Sequence, residues 1–241
     1  MRAVLAGPAE QAIAWLQEAA GRGFPEAQTA LGQRLLEGHG VGRDPGRAVY
    51  WFKKAAHVGF PMGMNMVGRC YENGWGIRSA PLMAAYWYRL AALANLDWGM
   101  YNYATQLMLG TGVDANRAEA FAWFRKAADR GHAKAINIVG GFYEDGWEVP
   151  MDRAAAAECY RRAAEAGDFR GQFNHARMLA EQGRAGDASQ WLAASVNGAT
   201  PAFRARLCEF LRRSDIPEFH AFGSELGAPV ETGCPLRAAD Q

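Results

Sequence analysis

The side chains able to do chemistry are spread along the chain without the spacing that a catalytic or metal site needs. The five histidines occupy unrelated positions, without an H-E-x-x-H motif: His39, His57, His132, His175 and His220. A metal site in a helical protein usually shows two ligands a few residues apart. We therefore predict no metal, no cofactor and no catalytic residue, and hence a protein that is not an enzyme.

The cysteines support the same prediction. There are four of them, Cys70, Cys159, Cys208 and Cys234, and none forms a C-x-x-C pair. An isolated cysteine in a helical pattern is usually a small buried apolar residue. The pattern is typical of a protein from a reducing compartment.

Charge and hydropathy exclude two classes of partner. The chain has 26 Lys and Arg residues against 25 Asp and Glu, so it lacks the basic excess of a nucleic-acid binder. Its apolar runs are too short to insert into a membrane, and residues 1–11 show no apolar signal region. We predict a cytoplasmic protein, or a periplasmic one if a signal has been removed.

A tryptophan recurs at a fixed interval and reveals internal repeats. It stands every 36 residues at Trp15, Trp51, Trp87 and Trp123, Cys159 occupies the next copy, and Trp191 follows 32 residues later. Paired alanines such as Ala91-Ala92 follow at constant distance. Self-similarity at this period indicates a solenoid, in which each unit buries its apolar face against its neighbours.

Each repeat predicts two helices, which we call A and B. Prolines open the A helices at Pro25, Pro61 and Pro201, and glycines follow the B helices at Gly23, Gly59, Gly131 and Gly167. The B helix carries the tryptophan, which we expect to fill the core, and the alanines, which allow close approach of a neighbouring helix. Small residues of helix A, such as Gly68, should face helix B of the same unit.

The loop between A and B carries paired glycines in three copies, at Gly38 and Gly40, Gly74 and Gly76, and Gly110 and Gly112. We expect positive φ at these positions, with a β-branched residue, such as Ile77, closing the gap between the helices.

These motifs resemble the Sel1-like repeat family, a relative of the tetratricopeptide repeat, from about residue 9 to about residue 211. A representative copy runs from Gly63 through Val67-Gly68 and Gly74-Trp75-Gly76-Ile77 to Trp87-Tyr88 and Ala91-Ala92. The resemblance implies an all-α, right-handed α/α solenoid of helix-turn-helix repeats. We expect a leading B-type helix in 1–24, about five helix pairs and a degenerate last pair in 25–213, and a C-terminal capping helix with a mobile tail in 214–241.

The same resemblance implies a function in protein–protein interaction, as an adaptor or scaffold of bacterial origin. The alternative is an immunity or regulatory protein that binds a specific enzyme or toxin, with an enzyme encoded nearby as the partner. A β-lactamase-like hydrolase and a binder of envelope glycans are weaker hypotheses. A dimer through the uncapped N-terminal helix is a further expectation.

In this family the A helices line the concave face of the solenoid. The residues that should point into it combine rings, amides and cations: Met62, Asn65, Arg69, Trp98, Tyr101, Thr105, Asn137, Phe173 and Arg177. Rings supply buried area and amides pair with an extended backbone, so we predict a net acidic partner peptide centred on Tyr101 and Asn65. The alternative is that some rings pack between adjacent A helices.

A second candidate surface is the loop edge. Trp75 and Trp147 stand there, where His39 and Thr111 occupy the other copies. They are either exposed contact residues or rings folded over Tyr71 and Tyr143.

Overall fold

The computed structural model describes residues 9–226, and within this range the chain is entirely α-helical, without strands. The mobile tail predicted beyond residue 226, with Cys234, lies outside the described residues. Thirteen helices are described: α1 (Ala9–Gly21), α2 (Pro25–Glu37), α3 (Pro45–His57), α4 (Pro61–Asn73), α5 (Pro81–Leu93), α6 (Asp97–Leu109), α7 (Arg117–Asp129), α8 (Ala133–Asp145), α9 (Arg153–Glu165), α10 (Phe169–Glu181), α11 (Ala185–Gly198), α12 (Pro201–Arg212) and α13 (Pro217–Leu226).

The helices alternate between the A type, with even numbers, and the B type, with odd numbers, and their ends confirm the caps predicted from the sequence. Pro61 opens α4, and Gly74 ends it in the left-handed region with a φ of 71°. Beyond the B helix α3, Gly59 has a φ of 84°, and beyond α5 Asn95 takes the same role with a φ of 66°. Asparagine is one of the few residues besides glycine that tolerate this conformation.

The chain divides into two compact units at Asp152. We call the described part of the first, residues 9–152 with α1–α8, the N-terminal unit, and that of the second, residues 153–226 with α9–α13, the C-terminal unit. In the N-terminal unit, α2 contacts α4 and α4 contacts α6 more extensively than successive B helices contact each other. The A helices therefore form an inner layer and the B helices an outer one. The three-segment division expected from the sequence stays a prediction.

Glycine allows the helices to approach each other closely, as the small-residue pattern predicts. A Cβ atom on Gly68 of α4 would lie 2.6 Å from the ring of Tyr88 on α5. One on Gly99 of α6 would lie 2.6 Å from the Cβ of Ala91 on α5. The first contact joins helices A and B of one repeat, and the second joins helix B to helix A of the next repeat. Both interfaces therefore depend on the absence of a side chain.

The core residue of each aromatic pair is the second member, and our expectation for the tryptophan was wrong. Phe52, Tyr88 and Phe124 are 0%, 0% and 1% exposed, whereas Trp15 is 43% exposed. Trp123 is only partly buried, and its Nε1–H donates to Glu119 Oε1 over 3.3 Å. One residue corresponds to about 100° of rotation around a helix, so only the second ring faces the glycine of helix A.

The loops after the A helices also depend on glycine. A Cβ atom on Gly76 would lie 2.1 Å from the carbonyl oxygen of Pro45, at the start of α3. The same distance separates a Cβ on Gly112 from the carbonyl of Pro81, at the start of α5. Each loop thus rests on the first turn of the preceding B helix. The fourth loop departs from the pattern, because Glu148 occupies the second glycine position with a φ of 59°.

The C-terminal unit has its own apolar cluster, which includes Leu192 of α11, Leu211 of α12 and Phe219 of α13. Helix α13 packs against α12. Ser195 Oγ donates to the carbonyl of Phe169 over 2.7 Å and ties α11 to α10. The last helix therefore contributes a fully buried side chain to the end of this unit.

Replacing Phe124 by alanine should lower the free energy of unfolding by about 3–5 kcal/mol, because a fully buried ring is lost from the contact with Tyr101 and Phe142. Trp123→Ala should cost only about 1–2 kcal/mol, because that ring lies at the edge of the core. Urea denaturation followed by circular dichroism measures both values. Equal losses in the two variants would contradict this account of the core.

Gly99→Ala should destabilise the protein by about 1–3 kcal/mol, because the new methyl group would overlap α5. Gly186, in the first turn of α11, is a matched control, since a Cβ there would meet nothing within 4 Å. Gly186→Ala should leave the melting temperature unchanged or raise it, because alanine has the higher helix propensity. A destabilisation of similar size in both variants would contradict the close-approach explanation, because helix propensity alone favours alanine at both positions.

Candidate partner-binding surface

The inner layer of the N-terminal unit carries seven of the nine residues predicted for the concave site. Met62 and Arg69 on α4, and Tyr101 and Thr105 on α6, are partly exposed, and Trp98 is 42% exposed. The other two are Asn137 on α8, which is also partly exposed, and Asn65 on α4, which is buried. We call Met62, Arg69, Trp98, Tyr101, Thr105 and Asn137 the inner face.

Asn65 does not belong to the accessible surface. It is 3% exposed, and its Oδ1 accepts a hydrogen bond of 2.8 Å from Nδ2 of Asn102 on α6. The amide therefore joins two successive A helices. Asn65 was predicted to face a partner, but replacing it would leave the partly exposed Asn102 without its acceptor and would cost stability.

Two rings of the inner face, Trp98 and Tyr101, pack against the buried His132 where α6 meets the start of α8. Trp98 meets His132 edge-on at 4.5 Å between centroids, and Tyr101 stacks on His132 at 4.7 Å. Nδ1 of His132 accepts from the backbone N–H of Ala135 and caps α8. The alternative that rings pack between A helices thus applies to Tyr101, which is half-buried. Trp98 keeps much of its surface exposed, with the Lys134 ammonium 5.5 Å from its ring centroid.

Arg69 connects the inner face to the loop edge. Its guanidinium lies 5.0 Å from the ring centroid of Trp75, and Nη1 lies 3.9 Å from the sulfur of Met66. Trp75 itself is partly buried and packs against the core formed by α1–α4. The inner face and the first part of the loop edge, which the sequence treats as alternatives, are therefore contiguous at Arg69 and Trp75.

Trp147 is the accessible tryptophan of the loop edge. It is 44% exposed, meets Phe142 edge-on at 6.0 Å and lies under the Arg117 guanidinium at 5.0 Å. The ring of Trp147 thus contacts Phe142, whereas Tyr143 contacts Phe121. One face of the indole remains available to a partner.

Phe173 and Arg177 lie on α10 and form part of a surface of the C-terminal unit. Phe173 meets Phe210 of α12 edge-on at 5.3 Å, and Phe210 is 48% exposed. Arg177 Nη1 contacts Glu181 Oε1 at 3.0 Å, and Arg153 pairs with the same carboxylate. Phe210 was missed in the sequence because it lies in the degenerate part of the array, where the phase of the repeat is hard to follow.

A polar network, also missed, joins three helices of the N-terminal unit through the exposed Glu72 and the buried Tyr88 and Gln106. Glu72 Oε2 accepts from the Tyr88 hydroxyl over 2.7 Å, and Glu72 Oε1 accepts from Gln106 Nε2 over 2.9 Å. Burial, then this hydrogen bond, raises the pKa of Tyr88, so its phenol stays protonated and donates. The sequence contains a signal for this network, since Glu72 stands at a repeat position where two other copies carry Leu36 and Met108.

The N-terminal end presents a shallow open cleft of about 190 Å³ between α1 and the start of α2. It is lined by Trp15, which is 43% exposed, and Phe24, which is 55% exposed. Glu18 and Arg22 form an ion pair of 2.6 Å at the same place.

Two further features of the described residues concern metal binding and membrane insertion. In residues 9–226, no three His, Cys, Asp or Glu side chains are grouped so as to hold a metal ion. None of the helices in that range is long and apolar enough to cross a membrane.

Asn65→Ala should lower the free energy of unfolding by about 1–3 kcal/mol, because Asn102 loses its buried acceptor. Asn73 is a matched control on the same helix: it is exposed, and its side chain donates only to the carbonyl of Arg69. Asn73→Ala should change stability by less than about 0.5 kcal/mol. Thermal and urea denaturation of the two variants provide the measurement. An Asn65→Ala variant as stable as the Asn73→Ala control would contradict the buried structural role of Asn65.

Comparison with protein families identifies the repeats. The Sel1 repeat family model matches residues 9–24, 25–60, 61–96, 99–132 and 133–168. Each full match contains one A helix and the loop and B helix that follow it. The model does not match the copy predicted for residues 169–211, although α10 and α11 contact each other there as a further pair. A comparison with curated proteins gave no match.

Solved structures support the same family. A Sel1 repeat protein from Oxalobacter formigenes is 25% identical with a TM-score of 0.77, covering 92% of this chain and 94% of that one. The protective antigen c5321 from uropathogenic Escherichia coli, which displays an SLR fold, is 27% identical with a TM-score of 0.69. That alignment covers 90% of this chain and 50% of the antigen, so this chain spans half the antigen's length.

A third structure, immunity protein Pa5087 from Pseudomonas aeruginosa, is 19% identical with a TM-score of 0.56, covers 84% of this chain and 80% of that one, and shares the fold. The five matched repeats and the paired packing of the helices establish the assignment. The chain belongs to the Sel1 repeat family, as an all-α solenoid of helix-turn-helix repeats.

Proposed function

We propose that this chain is a non-catalytic scaffold that binds a partner protein through the inner face, with Trp98 at the centre of the contact. The observation that carries the proposal is the exposure of Trp98. At the same phase the other copies carry Glu26, Met62 and Lys134, so the repeat does not need a large ring there. Partly exposed tryptophan is the residue type most often found at the energetic centre of a protein interface.

The chemistry around Trp98 favours a partner segment with carboxylates. Lys134 lies over one side of the ring, and Arg69 lies on the neighbouring α4. Thr105 donates its hydroxyl hydrogen to the carbonyl of Tyr101, so its oxygen remains available as an acceptor for a partner N–H. An acidic segment with one apolar anchor would satisfy these groups.

The narrower alternative is an immunity or regulatory protein that binds one enzyme or toxin. The name of the Pseudomonas aeruginosa protein supports this alternative only weakly, because at 19% identity the similarity concerns the fold. The cytoplasmic location and a dimer through the cleft at Trp15 and Phe24 stay predictions. If the cleft joins two copies, the inner face of each copy remains on the A-helix layer and can still bind its partner.

Trp98→Ala should abolish or weaken at least tenfold the binding of a partner that co-purifies with the wild-type chain, since a central tryptophan contributes about 2 kcal/mol or more. The chain would be used as bait in extracts of its source, with partners identified by mass spectrometry and affinities then measured with the purified partner. The melting temperature serves as a check on folding.

Trp147→Ser is the matched control, because Trp147 has a similar exposed fraction but lies on the loop edge. Trp75 is left unchanged, since it is partly buried and its loss would disturb the core. Binding lost in Trp147→Ser and retained in Trp98→Ala would move the site to the loop edge. If the wild-type chain, used as bait, shows no saturable binding of any partner, the scaffold proposal is rejected.

A further inference from the structure

The outer face of α5 carries a row of exposed apolar side chains. Leu82, Tyr86 and Leu93 are 69%, 51% and 60% exposed, and Arg89 lies between them, also exposed. Their spacing of four, three and four residues places all four on one stripe of the helix. The core-facing stripe of α5 is a different one, formed by Ala84, Ala85, Tyr88, Ala91 and Ala92. Helix α5 is thus apolar on two faces, and residues 9–226 cover only one of them.

The repeat does not require this outer row. At the same phases α7 carries the exposed residues Ala118, Ala122, Arg125 and Asp129, and α9 carries Ala154, Glu158, Arg161 and Glu165. Small and charged side chains are therefore sufficient for folding at these positions. The apolar row is particular to the middle of the N-terminal unit, and a contiguous exposed apolar patch on a water-soluble repeat commonly marks a contact with another molecule.

Helix α3 extends the surface and gives it a charge. The ring of His57 on α3 stacks on Trp87 of α5 at 6.5 Å, so the two B helices lie side by side. Tyr50 is 52% exposed, with the Lys54 ammonium 5.6 Å from its ring centroid. Together α3 and α5 contain four Lys and Arg residues and no Asp or Glu. We call Tyr50, Lys54, Leu82, Tyr86, Arg89 and Leu93 the outer patch.

We propose that the outer patch docks an amphipathic helix of a partner protein, with apolar residues on one stripe and Asp or Glu beside them. The row from Leu82 to Leu93 is about 16 Å long, which corresponds to three turns of a second helix packed along it. Carboxylates flanking the apolar stripe would meet Lys54 and Arg89, and no acidic side chain of α3 or α5 opposes them.

The composition of the patch distinguishes this occupant from nucleic acid and lipid. Nucleic-acid surfaces combine many cations with rings for base stacking, whereas Leu82 and Leu93 are aliphatic and offer no stacking plane. Anionic membranes attract clusters of four to eight cations, each contributing about 1 kcal/mol, and the patch contains two. Because the patch lies on the B-helix layer and Trp98 on the A-helix layer, occupation of one surface leaves the other accessible, and the chain could bridge two partners.

The probe is a fluorescein-labelled amphipathic peptide of about 18 residues, long enough for five helical turns, with Leu on one stripe and Glu on the flanks. Its controls are the same peptide with Lys in place of Glu and a scrambled acidic peptide. Fluorescence anisotropy with the full chain should show binding of the acidic amphipathic peptide alone, weakened by added salt. Leu82→Ser/Leu93→Ser should raise its Kd at least tenfold.

Ala118→Ser/Ala122→Ser is the matched variant, with substitutions at the first two of the same phases on α7, and it should bind the peptide as the wild type does. Lys54→Glu/Arg89→Glu should reverse the preference, so that the Lys peptide binds and the Glu peptide does not. Trp98→Ala should leave peptide binding unchanged, which separates this surface from the inner face. Circular dichroism confirms folding, since all the substituted patch residues are exposed.

Several outcomes would overturn the proposal. The first is that the acidic amphipathic peptide does not bind. The second is that the Lys peptide or the scrambled peptide binds as tightly as the acidic one. The third is that Ala118→Ser/Ala122→Ser weakens binding as much as Leu82→Ser/Leu93→Ser does. Binding of phosphatidylcholine–phosphatidylglycerol vesicles or of an oligothymidine that is lost in Leu82→Ser/Leu93→Ser would assign the patch to a membrane or to nucleic acid instead. Concentration-dependent self-association lost in the same variant, measured by sedimentation, would assign it to a second copy of the chain.

Discussion

The contact on which the rest of the structure depends is the close approach of helices at glycine and alanine. Where Gly99 faces Ala91, the backbones of α5 and α6 come so near that even one added carbon would overlap. Gly63 and Ala55 form the same contact one repeat earlier, between α4 and α3. Because the same small residues recur at the same phase, every helix has a fixed rotation about its axis. That rotation decides which positions are buried and which are exposed.

Fixed rotation explains how one repeat can carry different surfaces. Positions that face the next helix keep their residue type, as Phe52, Tyr88 and Phe124 show. Positions that face solvent vary freely, and the copies can be compared with each other as internal controls. Trp98 on the inner layer stands out against Lys134 at its phase. A large apolar residue at an exposed, variable position contributes little to folding and lowers solubility. Its presence there is best explained by a contact with another molecule.

The features predicted correctly are those decided within one or two turns of chain. Proline at the start of α4, a left-handed residue beyond α3 and the helix bounds all depend on local backbone geometry. The burial of Asn65 could not be predicted, because it depends on Asn102, which comes from the next repeat. The choice between Trp123 and Phe124 as the core ring failed for a related reason: both are apolar, and only the positions of Tyr101 and Phe142 on neighbouring helices distinguish them. Surfaces that combine α4 with α6, or α3 with α5, require the same three-dimensional information.

The polar contacts inside the N-terminal unit link its stability to its capacity to bind. Glu72 can accept from Tyr88 and Gln106 only when α4, α5 and α6 are in one register. A slip of one residue would leave the buried Tyr88 hydroxyl and Gln106 amide without their acceptor, which costs more than the hydrogen bonds contribute. The network therefore favours one arrangement of the helices over its neighbours. Since these helices carry most side chains of the inner face and the outer patch, the proposed partners would meet surfaces that are already ordered, and little entropy would be lost in arranging them.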